Sequence, residues 1–341
     1  MQTPTLMQRE VEETPEAVAR LLAQSGDQLQ EAGRLLRDLD PRSLATIARG
    51  SSDHAATFFK YATEITTGLP LASLGPSLVS VYGTPLRLAG VAAVAISQSG
   101  RSPDIVALLE AARAGGARTF ALVNVPDSPL SKAANLEIPL RVGPELSVAA
   151  TKSFVASAVA AIAVLAHWRE DAALLAAIEA LPDRLAEALD TDWSAALEPC
   201  RTATSLYTTG RGPGFAIASE AALKMKETSI LHAECFSGAE IVHGPVSLVG
   251  EGFPAFAFLV DDAARPGMQD LCRRLDGAGA RLFAIGESPV GTRLPHAETG
   301  HPLTEPLSMI LSFYRFAEAL SRARGHDPDN PRGLRKVTET V

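Results

Sequence analysis

The chain has 341 residues, 46% hydrophobic and 21% charged, with a formal net charge of -8 at pH 7. That length and apolar content support a large core and two domains and exclude a disordered or fibrous chain; the acidic balance argues against nucleic-acid binding, which needs a broad basic surface to displace counterions. Cys200, Cys235 and Cys272 are odd in number, widely spaced and without a C-x-x-C pair, so neither a disulfide framework nor a zinc site is suggested and a cytoplasmic location is expected.

In chain order, the segment 1–30 reads as helical, and MQTPTLMQREVEETPEAV places charges where a signal peptide would need an apolar run. From 31 to 169, strand-length apolar runs at Leu44–Ala48, Gly90–Ile96, Thr119–Asn124 and Leu136–Leu140 alternate with helix-like segments. Phe154–Trp168 is too short to span a bilayer and reads as a buried helix, so no membrane partner is expected. Residues 170–197, rich in Ala, Leu, Glu and Asp with Pro182 as a breaker, read as a helical connector. A second set of strands follows within 198–325, at Ser205–Thr209, Phe253–Val260 and Arg281–Ile285, and residues 326–341 form a tail. Strands alternating with helices predict an α/β fold, a parallel sheet covered by helices, in each set.

The two sets look like copies. Arg49-Gly50 ends the first strand of one and Arg211-Gly212 that of the other, 162 residues on; the same shift carries Leu69 onto Leu231 and Gly90 onto Gly252. The copies part company at AVAISQSGRSPD, residues 93–104, where a strand runs into Ser97, Gln98, Ser99, Gly100 and Ser102. A loop between a parallel strand and a helix presents backbone N–H groups and the positive end of the helix dipole, a place for a phosphate. The plainer reading is that Ser99 or Ser102 caps a helix starting at Pro103. In the second copy the shift lands on Leu259-Val260-Asp261-Asp262, whose two carboxylates would repel an anion.

In SEAALKMKETS, Glu220, Lys224 and Glu227 recur at spacings of four and three and share a helix face. By themselves they read first as a solvated face with Glu–Lys pairs, and His243 in VHGP is as easily a core histidine.

Read together, MQREVEETP, ARGSS (48–52), ISQSGRS (96–102), NVPDSPL (124–130), GPELSVAATKSF (143–154), the run 210–234, GAEIVHGPVSL (238–248) and NPRGLRKVTETV (330–341) span nearly the whole chain. This ordered set resembles the sugar isomerase (SIS) family, and within it the isomerase half of glutamine-dependent glucosamine-6-phosphate synthases. The resemblance implies two tandem SIS domains, each a three-layer α/β/α sandwich. It places a sugar phosphate on Ser52, Ser97, Gln98, Ser99 and Ser102, with Val148 and Ala150 in a segment that contacts the sugar. Ala150 stands where the family has a serine, and Arg101 where it has a glutamate. It makes Glu227 the base that moves a proton between C1 and C2, His243 the group that opens the ring, Lys336 a tail residue closing over the sugar, and Lys224 a polar contact near C2; His232 and Glu240 are assigned supporting roles.

With no cysteine before Cys200, the synthase's N-terminal cysteine nucleophile is missing and glutamine is not expected to serve as nitrogen donor. The resemblance therefore points to glucosamine-6-phosphate deamination, with a fructosamine-6-phosphate-type deglycase, a galactosamine-6-phosphate deaminase and a non-catalytic sugar-phosphate sensor as alternatives. No metal or cofactor is implied. A homodimer is implied, with His243 reaching the sugar across the interface.

Overall fold

The computed structural model describes residues 3–336. Residues 337–341 of the expected tail, including VTETV of its motif, and residues 1–2 of the N-terminal segment lie outside the described residues. In chain order the first part forms α1 (Leu6–Glu12), α2 (Thr14–Leu39), β1 (Ser43–Ile47), α3 (Ser51–Thr67), β2 (Leu71–Ser73), α4 (Ser77–Ser80), β3 (Val91–Ser97), α5 (Pro103–Ala114), β4 (Arg118–Val123), α6 (Pro129–Ala133), β5 (Leu136–Pro139) and α7 (Lys152–Arg169). There follow α8 (Ala172–Glu179), α9 (Leu181–Leu189), α10 (Ser194–Arg201), β6 (Ser205–Gly210), α11 (Pro213–Ser229), β7 (His232–Ser237), β8 (Pro254–Phe258), α12 (Arg265–Gly277), β9 (Arg281–Ile285), β10 (Thr292–Leu294) and α13 (Glu305–Ala323), with two 3-10 turns at Glu240–His243 and Pro245–Leu248.

The chain divides into two compact units. One comprises Glu16–Glu145 and Lys152–Glu179; the other comprises residues up to Pro15, Leu146–Thr151 and Ala180–Lys336. The partition differs from the boundaries read from sequence. Helix α2 runs through position 30 without a break, its buried Val18, Leu21, Ser25, Leu29, Ala32 and Leu36 forming one stripe at helical spacing. Pro182 falls where the connector's helix is interrupted: α8 ends at Glu179 and α9 begins at Leu181, with Pro182 in its first turn, where a missing N–H costs nothing.

Each unit is built on a five-stranded parallel sheet, in the order β2-β1-β3-β4-β5 and, in the same sense, β7-β6-β8-β9-β10. Alternate strand residues face opposite sides. In the first sheet Ala45, Ala93, Ala95 and Ala121 pack on Ile105, Leu108 and Leu109 of α5, and α3 and α7 pack together on the other side. In the second, Ala255, Ala257 and Ala284 pack on Met268, Leu271 and Leu275 of α12, while Phe256 turns to Phe313 and Phe316 of α13 on the opposite face. The apolar α7 is buried along nearly its whole length, as its composition predicts, and no helix among the described residues is long and apolar enough to cross a membrane.

The internal repeat is visible in the backbone. Gly50 and Gly212, 162 residues apart, share the unusual pair φ 56°, ψ -132° and open helices of 17 residues each. Gly90 and Gly252 have φ of 77° and 75°.

Candidate active site

In the first sheet, β1 feeds α3 toward β2 on one side and β3 feeds α5 toward β4 on the other. The carboxyl ends of β1 and β3 therefore border the crevice where parallel sheets commonly take ligands. Ser52, in the first turn of α3, and the segment 97–102 lie at this edge. Ser97 Oγ accepts from the Gly100 N–H at 3.0 Å and Ser99 Oγ from the Arg101 N–H at 3.3 Å, so both hydroxyls shape the loop. The Gln98 carbonyl is tied to the Val125 N–H at 3.3 Å. Ser102 occupies the N-cap position of α5, yet its side chain makes no capping hydrogen bond; capping does not account for its hydroxyl. Gly100 adopts φ +63°, and a Cβ there would lie 2.3 Å from Ser128 Oγ, so both conformation and space demand glycine.

Arg101 is exposed. Arg49, at the end of β1, donates to the buried Asp104 of α5 at 2.7 Å, which brings a guanidinium to the same edge. Beside Ser52, burial pushes the Asp53 carboxyl upward, opposed by His54, Ser73 and Arg49. The Arg49–Asp104 pair and the Ser128 support escaped the sequence reading, since 55 residues separate the first two.

The equivalent edge of the second sheet has the opposite chemistry. A cleft of about 480 Å³ is lined there by Asp261, Arg265, Glu287, His296, Glu298 and Glu305, among others. Burial, reinforced by Glu305 and Asp261, pushes the Asp262 carboxyl upward. A phosphate would be repelled there.

Helix α11 carries the charges of the second unit. Glu220 and Lys224 are completely buried, while the Glu227 side chain is 22% exposed. Lys224 Nζ donates to Glu227 Oε2 and lies 3.5 Å from Glu220 Oε1; the Tyr314 hydroxyl of α13 donates to the same Glu220 oxygen at 3.1 Å. A buried ammonium between two carboxylates is compensated, whereas alone it would cost several kcal/mol. Of the three, only Glu227 reaches the surface.

Lys336 and the segment containing Val148 and Ala150 are brought together: Lys336 Nζ donates to the Ser147 carbonyl at 2.7 Å. Glu227 and His243 are not brought together. Ile241, beside His243, packs into the cluster that α12 forms with Ala255 and Ala257, whereas Thr208, on the other face of the sheet, donates to the Ala218 carbonyl of α11. The sheet thus stands between α11 and the exposed His243. His232 pairs with Ser205 at 3.1 Å and Glu240 is exposed. Burial pushes the thiols of Cys200, Cys235 and Cys272 to about 12, 11 and 11, which leaves them protonated at neutral pH. Among the described residues no group of three or more His, Cys, Asp or Glu is placed to hold a metal ion.

The SIS domain family model matches residues 39–167 and 201–287. Glutamine–fructose-6-phosphate aminotransferase [isomerizing] of Aeropyrum pernix is 31% identical over 98% of this chain, and that of Mycolicibacterium smegmatis 32% identical over 97%. The chain spans 57% and 56% of those relatives, a little over half of each, and is homologous to their isomerase half. A solved structure of an inferred phosphosugar isomerase from Silicibacter pomeroyi DSS-3 superposes with a TM-score of 0.92 at 48% identity, covering 96% of this chain and all of that one. The C-terminal domain of glucosamine-fructose-6-phosphate aminotransferase from Francisella tularensis shares the fold, with a TM-score of 0.85 at 22% identity over 96% of this chain and 99% of that one.

Proposed function

Because the chain belongs to the SIS family and carries its domain twice, we propose that it acts on an amino sugar phosphate as a glucosamine-6-phosphate deaminase, releasing fructose 6-phosphate and ammonia. The observation that carries this reading is Glu227, a partly exposed carboxylate fixed by the buried Lys224. A base so held is poised to take a proton from one carbon and return it to the next. The serine loop holds the phosphate and keeps the open-chain sugar in place. Glu227 removes the C2 proton of the open-chain aldehyde, giving an enolamine, and protonation at C1 yields the C2 imine. Water adds to that imine and ammonia leaves. His243 assists ring opening, Lys336 contacts the sugar from the tail, and Ser52, Val148 and Ala150 line the pocket. The separation of His243 from Glu227 by the sheet supports a homodimer in which the imidazole comes from the partner chain.

A second reading rests on Ala150, which offers no hydroxyl to the sugar: the substrate is then a fructosamine-type 6-phosphate or galactosamine 6-phosphate. Purified protein incubated separately with each of the three sugars, and assayed for ammonia and the ketose phosphate, decides between them. Turnover of glucosamine 6-phosphate at the highest kcat/KM is expected. Saturable binding without turnover of any would make the protein a sensor.

A further inference from the structure

We propose that Glu10 of α1 is a positioning residue that holds the sugar-contacting segment 146–151 in its working shape. The proposal rests on the reading above that Val148 and Ala150 face the sugar. Glu10 is buried, and its Oε1 accepts from two successive backbone N–H groups, those of Leu146 and, at 3.2 Å, Ser147. The Leu146 side chain is 64% exposed, so hydrophobic burial of that residue does not fix the start of the segment; hydrogen bonds do.

Ser147 and the next residue, Val148, are gripped from the tail. The Ser147 carbonyl accepts from Lys336, and the Val148 N–H donates to the Asp329 carbonyl at 3.3 Å. Asp329 in turn accepts from the N–H groups of Leu6 and Met7 at 2.7 and 2.8 Å with its carboxylate, which anchors the start of α1 and hence the place from which Glu10 reaches. Two stretches remote in sequence, α1 and the tail, close on Ser147-Val148. A buried carboxylate is an expensive way to satisfy two amides that solvent could serve, and its presence is explained if the orientation of the next residues matters. The segment also keeps one unspent group: Ser147 Oγ is buried with no hydrogen-bond partner among the described residues, as expected of a surface completed by a ligand or water.

The test compares wild type, Glu10→Gln and Glu10→Ala by calorimetric titration with fructose 6-phosphate and with inorganic phosphate, and by hydrogen exchange of the peptide covering 146–148. Glu10→Ala is expected to weaken fructose 6-phosphate binding about tenfold or more, the scale of a lost charge-assisted hydrogen bond. Inorganic phosphate, held by the serine loop, should stay within about twofold of wild type, and exchange at 146–147 should accelerate. Glu10→Gln retains an acceptor oxygen without the charge and should fall between, which keeps the test informative if the alanine variant folds poorly. Equal loss for both ligands would make Glu10 a residue of general stability and overturn the proposal, as would unchanged exchange or unchanged sugar-phosphate affinity in both variants. Wild type that binds inorganic phosphate but not fructose 6-phosphate would overturn the sugar reading itself, and this proposal with it.

Discussion

Lys224 decides how the charged face of α11 is to be understood. Spacing of four and three allows either a solvated row of ion pairs or a site, and local sequence does not choose between them. The structure excludes a solvated row, by burying Glu220 and Lys224 completely and leaving only Glu227 of the three within reach of solvent. Two predictions follow different physical routes. Glu227→Gln leaves Lys224 paired with Glu220, so the protein should fold and bind sugar phosphate while kcat falls by at least about a hundredfold, the scale of a positioned base; steady-state kinetics with near-normal turnover would remove Glu227 from the mechanism. Lys224→Met instead removes the ammonium that faces the buried Glu220 carboxylate, and breaking a buried pair in this way costs about 3–5 kcal/mol. Its melting temperature should drop by many degrees where that of Glu227→Gln does not. Tyr314 comes from a helix 94 residues away, and no local pattern in the sequence announces it.

At the scale of elements, the serine loop shows what local chemistry specifies and what it leaves open. The loop Ser-Gln-Ser-Gly between a strand and a Pro-initiated helix was legible, and so were the seven strands with continuous apolar runs. The strands β2, β7 and β10 were not. β2 and β10 have only three residues each, and HAECFS of β7 has one buried residue, Ala233, among exposed and half-buried ones instead of forming an apolar run; all three are edge strands, where burial is too slight to shape composition. Within the loop, Ser97 and Ser99 spend their oxygens on the N–H groups of Gly100 and Arg101, so their replacement should loosen the loop as well as remove two hydroxyls. Ser97→Ala/Ser99→Ala is expected to raise KM for the sugar phosphate strongly, each hydroxyl being worth roughly 1.5–3 kcal/mol if it meets the charged phosphate, with the circular dichroism of the folded protein unchanged. An unaltered KM would reduce the loop to a helix cap.

At the scale of the molecule, duplication accounts for why one sheet offers hydroxyls and the other carboxylates at equivalent edges. Two copies of one fold retained the same strand order, the same 17-residue helix after the first strand and the same glycine geometry before it, while the loops at their strand ends carry different side chains. Specialisation of this kind also separates reacting groups. Glu227 and His243 belong to one unit, but the sheet stands between α11 and His243. On the proposed mechanism, pairing two chains about a two-fold axis would supply the histidine from the partner. If this is the arrangement, Glu227→Gln and His243→Ala, each nearly inactive alone, should rescue one another when unfolded together and refolded. A mixed dimer then carries both defects in one site and none in the other. With random pairing half the dimers are mixed and half of their sites are intact, so roughly a quarter of wild-type activity should return. Folded variants mixed without subunit exchange should recover little. A co-refolded sample shown by mass spectrometry of differently tagged chains to contain mixed dimers, yet still inactive, would place His243 within its own chain's site or outside the reaction.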